Sequence, residues 1–270
     1  MFQKIPFIKM HGLGNDFVII DENRMPKNID MQSFVQNIAD RELGVGCDQF
    51  ITYRQESDKV IMAIYNQDGS KAKACGNASR CLTRLLFDQT EVKSIKLDVD
   101  GRVVTGQYID RNRMQVDMGS PSFESSWMPN DADLWALAER YMIEPKEMLC
   151  VDVANPHLVI FSKLSEKDMS IIGGNFQQTE LFPDGINVSF ARVMDNKIHL
   201  KVWERGAGFT YACGSGAIAT FAAANKLGFA GNESEIVFKL GSLHMQKQKD
   251  SVVMSGPASY VFTGDYLYEK

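Results

Sequence analysis

The sequence predicts an α+β protein of two similar halves, each a set of strands gathered around one central helix. Three observations lead there. Asn66-Gln-Asp-Gly-Ser-Lys-Ala-Lys-Ala-Cys75-Gly-Asn-Ala and Glu204-Arg-Gly-Ala-Gly-Phe-Thr-Tyr-Ala-Cys213-Gly-Ser-Gly-Ala each set a polar residue nine positions before a cysteine, with a helical pattern directly after it. An offset of 138 separates the two cysteines and also relates Gln49 to Asn187, while 140 relates Asn15 to Asn155, each followed by an apolar run. Strands outnumber helices throughout, with no regular strand–helix alternation. Matches at several places in nearly constant register point to a duplicated half carrying one thiol each.

Taken in order, residues 6–10 and 17–21 read as strands joined by the turn His11-Gly-Leu-Gly-Asn15. Residues 33–41 form a helix, with Phe34, Val35 and Ile38 on one face, and Gly44-Val-Gly46 breaks the chain after it. Strands follow at 49–53 and 60–65. From 76 to 88, Ala78, Cys81, Leu82, Leu85 and Leu86 keep helical spacing, and strands return at 95–99, 102–109 and 114–118. Gly119-Ser-Pro-Ser is the linker, dividing 1–118 from 119–260. The second half opens with a helix at 131–141, then strands at 148–153, 157–161, 186–192 and 198–203. The Ala-rich helix 214–227 stops at Gly228. The tail, 236–270, reads as strands with turns at Gly241, Gly256-Pro and Gly264-Asp.

At 270 residues, 44% hydrophobic and 23% charged, the chain suits one large domain or two smaller ones, each able to bury a core. With 29 Lys and Arg against 34 Asp and Glu, the net charge is −5, which argues against nucleic acid or an anionic membrane as partner. Lysines interrupt the apolar residues at the N-terminus, and no run reaches the roughly 18 apolar residues of a membrane helix. A cytoplasmic protein is expected. Five cysteines, at 47, 75, 81, 150 and 213, include no Cys-x-x-Cys pair, and the four histidines are isolated. Free thiols are expected, with no metal or cofactor motif.

Cys47, Cys81 and Cys150 read as small buried hydrophobes. Cys75 and Cys213 differ, because each opens a helix, where unpaired N–H groups favour an anion and can lower a thiol toward pKa ~7. Two such thiols at one cleft would leave one thiolate beside one thiol, the base and acid that epimerisation of a carbon acid needs. His11-Gly-Leu-Gly-Asn15 is followed by a strand, so it is not a dinucleotide fingerprint. Asn15, Gln49, Asn66, Asn155 and Asn187 are turn or strand-end residues taken singly; their paired positions make them cleft residues. Arg205 would clamp a carboxylate and Glu204 an ammonium. His157, two residues after Asn155, would support the site from behind.

At these residues the chain resembles the diaminopimelate epimerase family over essentially its full length. The matching stretches are Met10-His-Gly-Leu-Gly-Asn-Asp-Phe17, Gly44-Val-Gly-Cys-Asp-Gln49, Asn66-Gln-Asp-Gly-Ser70, Cys75-Gly-Asn77 with Arg80-Cys81, Asn155-Pro-His157, and Glu204-Arg-Gly-Ala-Gly208 running into Ala212-Cys-Gly-Ser-Gly-Ala217. The resemblance implies interconversion of L,L- and meso-2,6-diaminopimelate without pyridoxal phosphate or metal, on the route to lysine and peptidoglycan. It implies strands wrapped around a central helix in each of two domains, with 261–270 returning to the first, and allows a homodimer. It implies a Cys75/Cys213 acid–base pair, and backbone N–H groups of Gly76, Asn77, Gly214 and Ser215 on the reacting carboxylate. Asn15, Asn66, Asn155, Asn187 and Arg205 would read the distal end. Three departures stand out: Ala154 where the family usually has Gly, Ala78-Ser79 in place of Gly-Ala, and Phe209 at a variable position. The alternatives are a related epimerase of proline or hydroxyproline and a non-catalytic thiol redox sensor. A phenazine-type isomerase of the same fold lacks the paired cysteines.

Overall fold

The computed structural model describes residues 2–73, 75–177, 179–249 and 251–269, so the last residue of the expected strand 261–270 lies outside the described residues. The chain divides into two compact units, Met1–Asp117 with Ser255–Lys270, and Met118–Met254. The first holds β1 (Phe2–Gly12), β2 (Asn15–Asp21), α1 (Met31–Ala39), β3 (Gln49–Gln55), β4 (Val60–Asn66), β5 (Lys71–Ala72), α2 (Gly76–Thr90), β6 (Ser94–Val99), β7 (Arg102–Asp110) and β8 (Arg113–Asp117). The second holds α3 (Asp131–Arg140), β9 (Met148–Asp152), β10 (Pro156–Phe161), α4 (Glu166–Phe176), β11 (Asn187–Met194), β12 (Lys197–Glu204), β13 (Gly208–Phe209), α5 (Gly214–Lys226), β14 (Glu233–Phe238) and β15 (Gly241–Gln248). β16 (Ser251–Gly256) leads back to the first unit, where β17 (Ser259–Glu269) pairs antiparallel with β1.

The two units repeat one pairing scheme. β1–β2, β3–β4 and β6–β7 are antiparallel, and β2–β3 and β4–β6 parallel. β9–β10, β11–β12 and β14–β15 are antiparallel, and β10–β11 and β12–β14 parallel. Each parallel pair is joined through a helix: α1, α2, α4 or α5. The α+β class holds, but strand–helix–strand crossovers are present that the sequence reading did not expect. Three of the four connecting helices, α1, α2 and α5, fall where the sequence predicts helices, and the fourth, α4, is not predicted. Ser165 caps it, accepting from the Asp168 N–H, so its start is conventional. A Cβ on Gly173 would lie 2.5 Å from the Trp203 ring, so this helical glycine serves close approach.

Burial explains why each half wraps its helix. Ala78, Cys81, Leu82, Leu85 and Leu86 of α2 join Met10, Phe17, Ile19, Ile64 and Leu97 in one core. Val18 and Ile20, on the other face of β2, pack with Phe34, Val35 and Ile38 of α1. Both faces of β2 are thus covered, and its apolar run is continuous. In α5 nearly every residue from Gly214 to Ala224 is buried, as a helix ringed by strands requires. The expected turn at Gly264-Asp is absent: β17 runs unbroken to Glu269. Gly264 instead faces the Phe7 ring, where a Cβ would come within 3.1 Å.

This topology gathers the polar repeats. Asn15, Gln49 and Asn187 begin β2, β3 and β11, Asn155 directly precedes β10, and Asn66 and Glu204 end β4 and β12. In each unit they therefore lie at the sheet end from which the cysteine-bearing helix starts. No helix among the described residues is long and apolar enough to cross a membrane.

Candidate active site

Cys75 and Cys213 are the N-caps of α2 and α5, with almost the same backbone: φ −121, ψ 114 and φ −123, ψ 112. The first two helical residues, Gly76 and Asn77 or Gly214 and Ser215, have no helical carbonyl to bond, so their N–H groups face outward from the helix start. Such a pair of N–H groups can accept an anion.

In the first unit, Cys75 is half-buried and its Sγ lies 3.9 Å from Asn15 Oδ1. The Asn77 amide donates to the same oxygen at 3.1 Å, and Arg80 Nη2 donates to Asn77 Oδ1 at 2.9 Å. Arg80 is fully buried, and its Nε donates to the Pro257 carbonyl at 3.3 Å. Burial lowers this guanidinium to about 10, leaving it charged at neutral pH. On the other side, Asn15 Nδ2 donates to Asp48 at 2.9 Å. Arg41 bridges Asp48 and Asp16 at 2.7 Å each, and the buried Lys9 reaches Asp16 at 2.6 Å. Burial opposes ionisation of Asp16, but its bonds to Arg41 and Lys9 prevail and hold it at about 2. Gln49 Nε2 donates to Asn66 Oδ1 at 3.2 Å, and Asn66 Nδ2 to Ser70 Oγ at 3.1 Å.

The second unit treats its thiol differently. Cys213 is buried; its Sγ accepts from the Gly216 N–H at 3.4 Å and lies 3.4 Å from Ser215 Oγ. Burial, and after it the Glu204 carboxylate, push this thiol well above its ordinary range, while Ser215 and Gly216 pull the other way and lose. The acidification expected at this helix start is therefore overturned. A helix terminus contributes up to ~2 kcal/mol, less than burial beside a carboxylate removes. Ser215 Oγ is 2.9 Å from His157 Nε2, and His157 is fully buried with Nδ1 lacking a hydrogen-bond partner among the described residues. Burial brings its pKa to about 3, so the ring is neutral. Asn187 accepts from the Arg205 N–H at 3.0 Å and donates to the Pro156 carbonyl at 2.9 Å. The exposed Arg205 guanidinium donates to the Asp184 carbonyl at 2.9 Å.

The remaining thiols are the small buried hydrophobes that the sequence predicts. Cys47, Cys81 and Cys150 are buried, and burial pushes them up to about 11, 12 and 12. The sequence reading gave no role to Asp48 or Arg80, although both sit inside quoted motifs, nor to the Ser215 hydroxyl. Asp48 was signalled only by its position beside Gln49; Arg80 by being a cation on the apolar side of a helix. Asn155 is half-exposed and its side chain makes no hydrogen bond among the described residues, whereas Ala154 before it has φ +63.

Two similar units, each presenting a cysteine at the start of its central helix, define the class: an isomerase fold of the epimerase and racemase type. A family model for diaminopimelate epimerase matches residues 7–124 and 149–261. Diaminopimelate epimerase of Rickettsia akari is 51% identical over 270 residues, covering all of both chains. Among solved structures, a predicted epimerase of Pseudomonas aeruginosa aligns with a TM-score of 0.74 at 15% identity, covering 98% of this chain and 100% of that one. A hydroxyproline epimerase of Agrobacterium vitis aligns with a TM-score of 0.68 at 11% identity, covering 98% and 92%. At such identities these structures bear on the fold alone. The chain belongs to the diaminopimelate epimerase family and is an epimerase.

Proposed function

We propose that the chain interconverts L,L- and meso-2,6-diaminopimelate, feeding lysine and peptidoglycan synthesis, with one thiol from each half acting on opposite faces of the α-carbon. The observation that carries this reading is the matched N-cap geometry of Cys75 and Cys213 in two repeats of one fold. A thiolate on one face takes the α-proton, and the electron pair passes into the adjacent carboxylate. The thiol on the other face then returns a proton to carbon, and the reverse reaction exchanges the roles. Two thiols suffice, with no cofactor in the step. The N–H groups of Gly76, Asn77, Gly214 and Ser215 hold the carboxylate, where fixed donors stabilise the developing charge. Asn15, Gln49, Asn66, Asn155, Asn187, Glu204 and Arg205 bind the rest of the substrate, and His157 orients Ser215.

A coupled assay on L,L-diaminopimelate, with proline as control, tests this directly. Cys75→Ala and Cys213→Ala should each be inactive, while Cys81→Ala and Cys150→Ala turn over normally. Activity above about 1% of the parent in either of the first two removes the two-base assignment.

We also place the enzyme in the cytoplasm, where its five free thiols stay reduced, and as a homodimer. Phe2 of β1 and Tyr260 and Leu267 of β17 are exposed apolar residues on one face of the paired strands, a surface a second copy can cover. Recovery outside the cytoplasmic fraction, or a monomer in analytical ultracentrifugation at micromolar concentration, would contradict each assignment in turn.

A further inference from the structure

Arg80 and Asp48 close the two ends of a line of side-chain amides that passes Cys75. From one end, Arg80 Nη2 donates to Asn77 Oδ1 at 2.9 Å, and Asn77 Nδ2 donates to Asn15 Oδ1 at 3.1 Å. From the other, Asp48 Oδ2 accepts from Asn15 Nδ2 at 2.9 Å. The two ends of an amide have nearly the same shape, so only the partners decide which way it points. A guanidinium has no acceptor, so Asn77 must turn its carbonyl to Arg80. An ionised carboxylate has no proton, so Asn15 must turn its amino group to Asp48. Both constraints demand the same polarity, and it leaves the Asn15 carbonyl facing Asn77 and, at 3.9 Å, Cys75 Sγ. The sulfur thus meets an acceptor there, which suits S–H and disfavours S⁻.

Asp48 is itself held in place. Its carboxylate takes Arg41 at 2.7 Å and the Asp16 N–H at 3.1 Å, and Asp16 Oδ1 in turn accepts from the Asp48 N–H at 2.9 Å. Lys9 and Arg41 hold Asp16 from behind. The acceptor end of the line is therefore fixed by a set of paired charges running from the buried Lys9 to the exposed Arg41, and Asn15 is not left to choose its orientation.

We propose that Asp48 is a positioning residue for Cys75: acting through Asn15, and matched by Arg80 at the far end, it sets a carbonyl against the resting thiol and biases Cys75 toward its protonated form. The inference rests on the reading of Cys75 as one of the acid–base pair. It predicts that Cys75 is the guarded thiol of its half until substrate enters, when a new neighbour can replace the Asn15 carbonyl.

The test is the pH profile of iodoacetamide alkylation at Cys75, followed by peptide mass spectrometry in the parent, Asp48→Asn and Asp48→Leu proteins. Among the described residues of its unit, the titratable and charged groups around Cys75 include Arg80 and Cys81 on α2 and, through Asn15, Asp48 with Arg41, Asp16 and Lys9. Asp48→Asn removes the charge but keeps an acceptor for Asn15. Asp48→Leu removes both, so the difference between the two variants isolates orientation. Below the alkylation midpoint, Asp48→Leu should react at least about twofold faster than Asp48→Asn, since one hydrogen bond is worth about 0.5–1.5 kcal/mol, a factor of about 2–10. The high-pH plateau, which reads access to the sulfur, should be unchanged. Coincident profiles for the two variants overturn the proposal, as does a change confined to the plateau. Asp48→Ala replaces Asp48→Leu should the latter fail to fold by circular dichroism. The alkylation readout needs no substrate, so a parent without diaminopimelate turnover would sink the proposed function and leave this test intact.

Discussion

Ala154 and Gly14 occupy the same place in the two repeats, each directly before the paired asparagine, and each has positive φ: +63 for Ala154 and +89 for Gly14. A left-handed backbone costs a residue with a Cβ about 1–2 kcal/mol, which glycine does not incur. Glycine loses more freedom on folding, a cost of roughly 0.5–1 kcal/mol. Ala154→Gly should therefore stabilise the protein by about 0.5–1 kcal/mol. Gly14→Ala should destabilise it by about 1 kcal/mol or more, because φ +89 lies further from the left-handed minimum near +57. All three tryptophans, Trp127, Trp135 and Trp203, fall in the same unit as Ala154, and Trp127 Nε1 donates to Asp152 at 2.9 Å, two residues before it. Urea denaturation followed by tryptophan fluorescence will read Ala154→Gly locally, and a thermal melt by circular dichroism will read Gly14→Ala. At about 2–4 °C per kcal/mol, the melting shifts should be roughly 1–4 °C and opposite in sign. The turn is already well formed around Ala154, whose N–H donates to Asp152 Oδ1 at 2.8 Å, and Pro156 stays in register with Asp152. Ala154→Gly should thus change kcat/KM by less than about twofold. A lower urea midpoint for Ala154→Gly, or an unchanged melt for Gly14→Ala, would show that positive φ is not what distinguishes these positions.

Glu204→Gln should move the alkylation midpoint of Cys213 to lower pH, because the variant loses the carboxylate that adds to burial in raising this thiol; an unmoved profile would leave burial as the whole cause. His157 gives an acid-side signature. Its folded pKa, about 3 against an ordinary 6.5, is depressed, so its contribution to stability is complete above pH 6.5 and is lost as pH falls toward 3. Within that window each pH unit costs up to about 1.4 kcal/mol. His157→Gln should flatten the fall in urea midpoint between pH 6.5 and 4, and equal slopes in parent and variant would refute a neutral buried ring.

What was legible in the sequence and what was not divides on a physical line. The helices after Cys75 and Cys213 were legible because helical spacing and a clean start are local facts, and so were the strand ends that hold Asn15, Gln49, Asn66 and Asn187. The turn expected at Gly264 and the unpredicted helix around Gly173 both involve a glycine packed under an aromatic ring. A glycine that breaks the chain and a glycine that admits an aromatic ring look the same in one dimension, and only the Trp203 and Phe7 rings tell them apart. The site fails in a similar way. Helix-start placement alone predicts that both thiols are acidified, but the outcome belongs to whatever packs against the sulfur. Glu204 and burial overrule the helix at Cys213, while at Cys75 an asparagine carbonyl is held in place by charges on residues 48 and 80. The repeat therefore duplicates the backbone of the site but not its electrostatics. Two thiols in one backbone geometry, set in unlike surroundings, need not ionise alike, although an epimerase must use each as both acid and base. That difference is written in side chains the repeat does not share, and so it emerges only once the chain is folded.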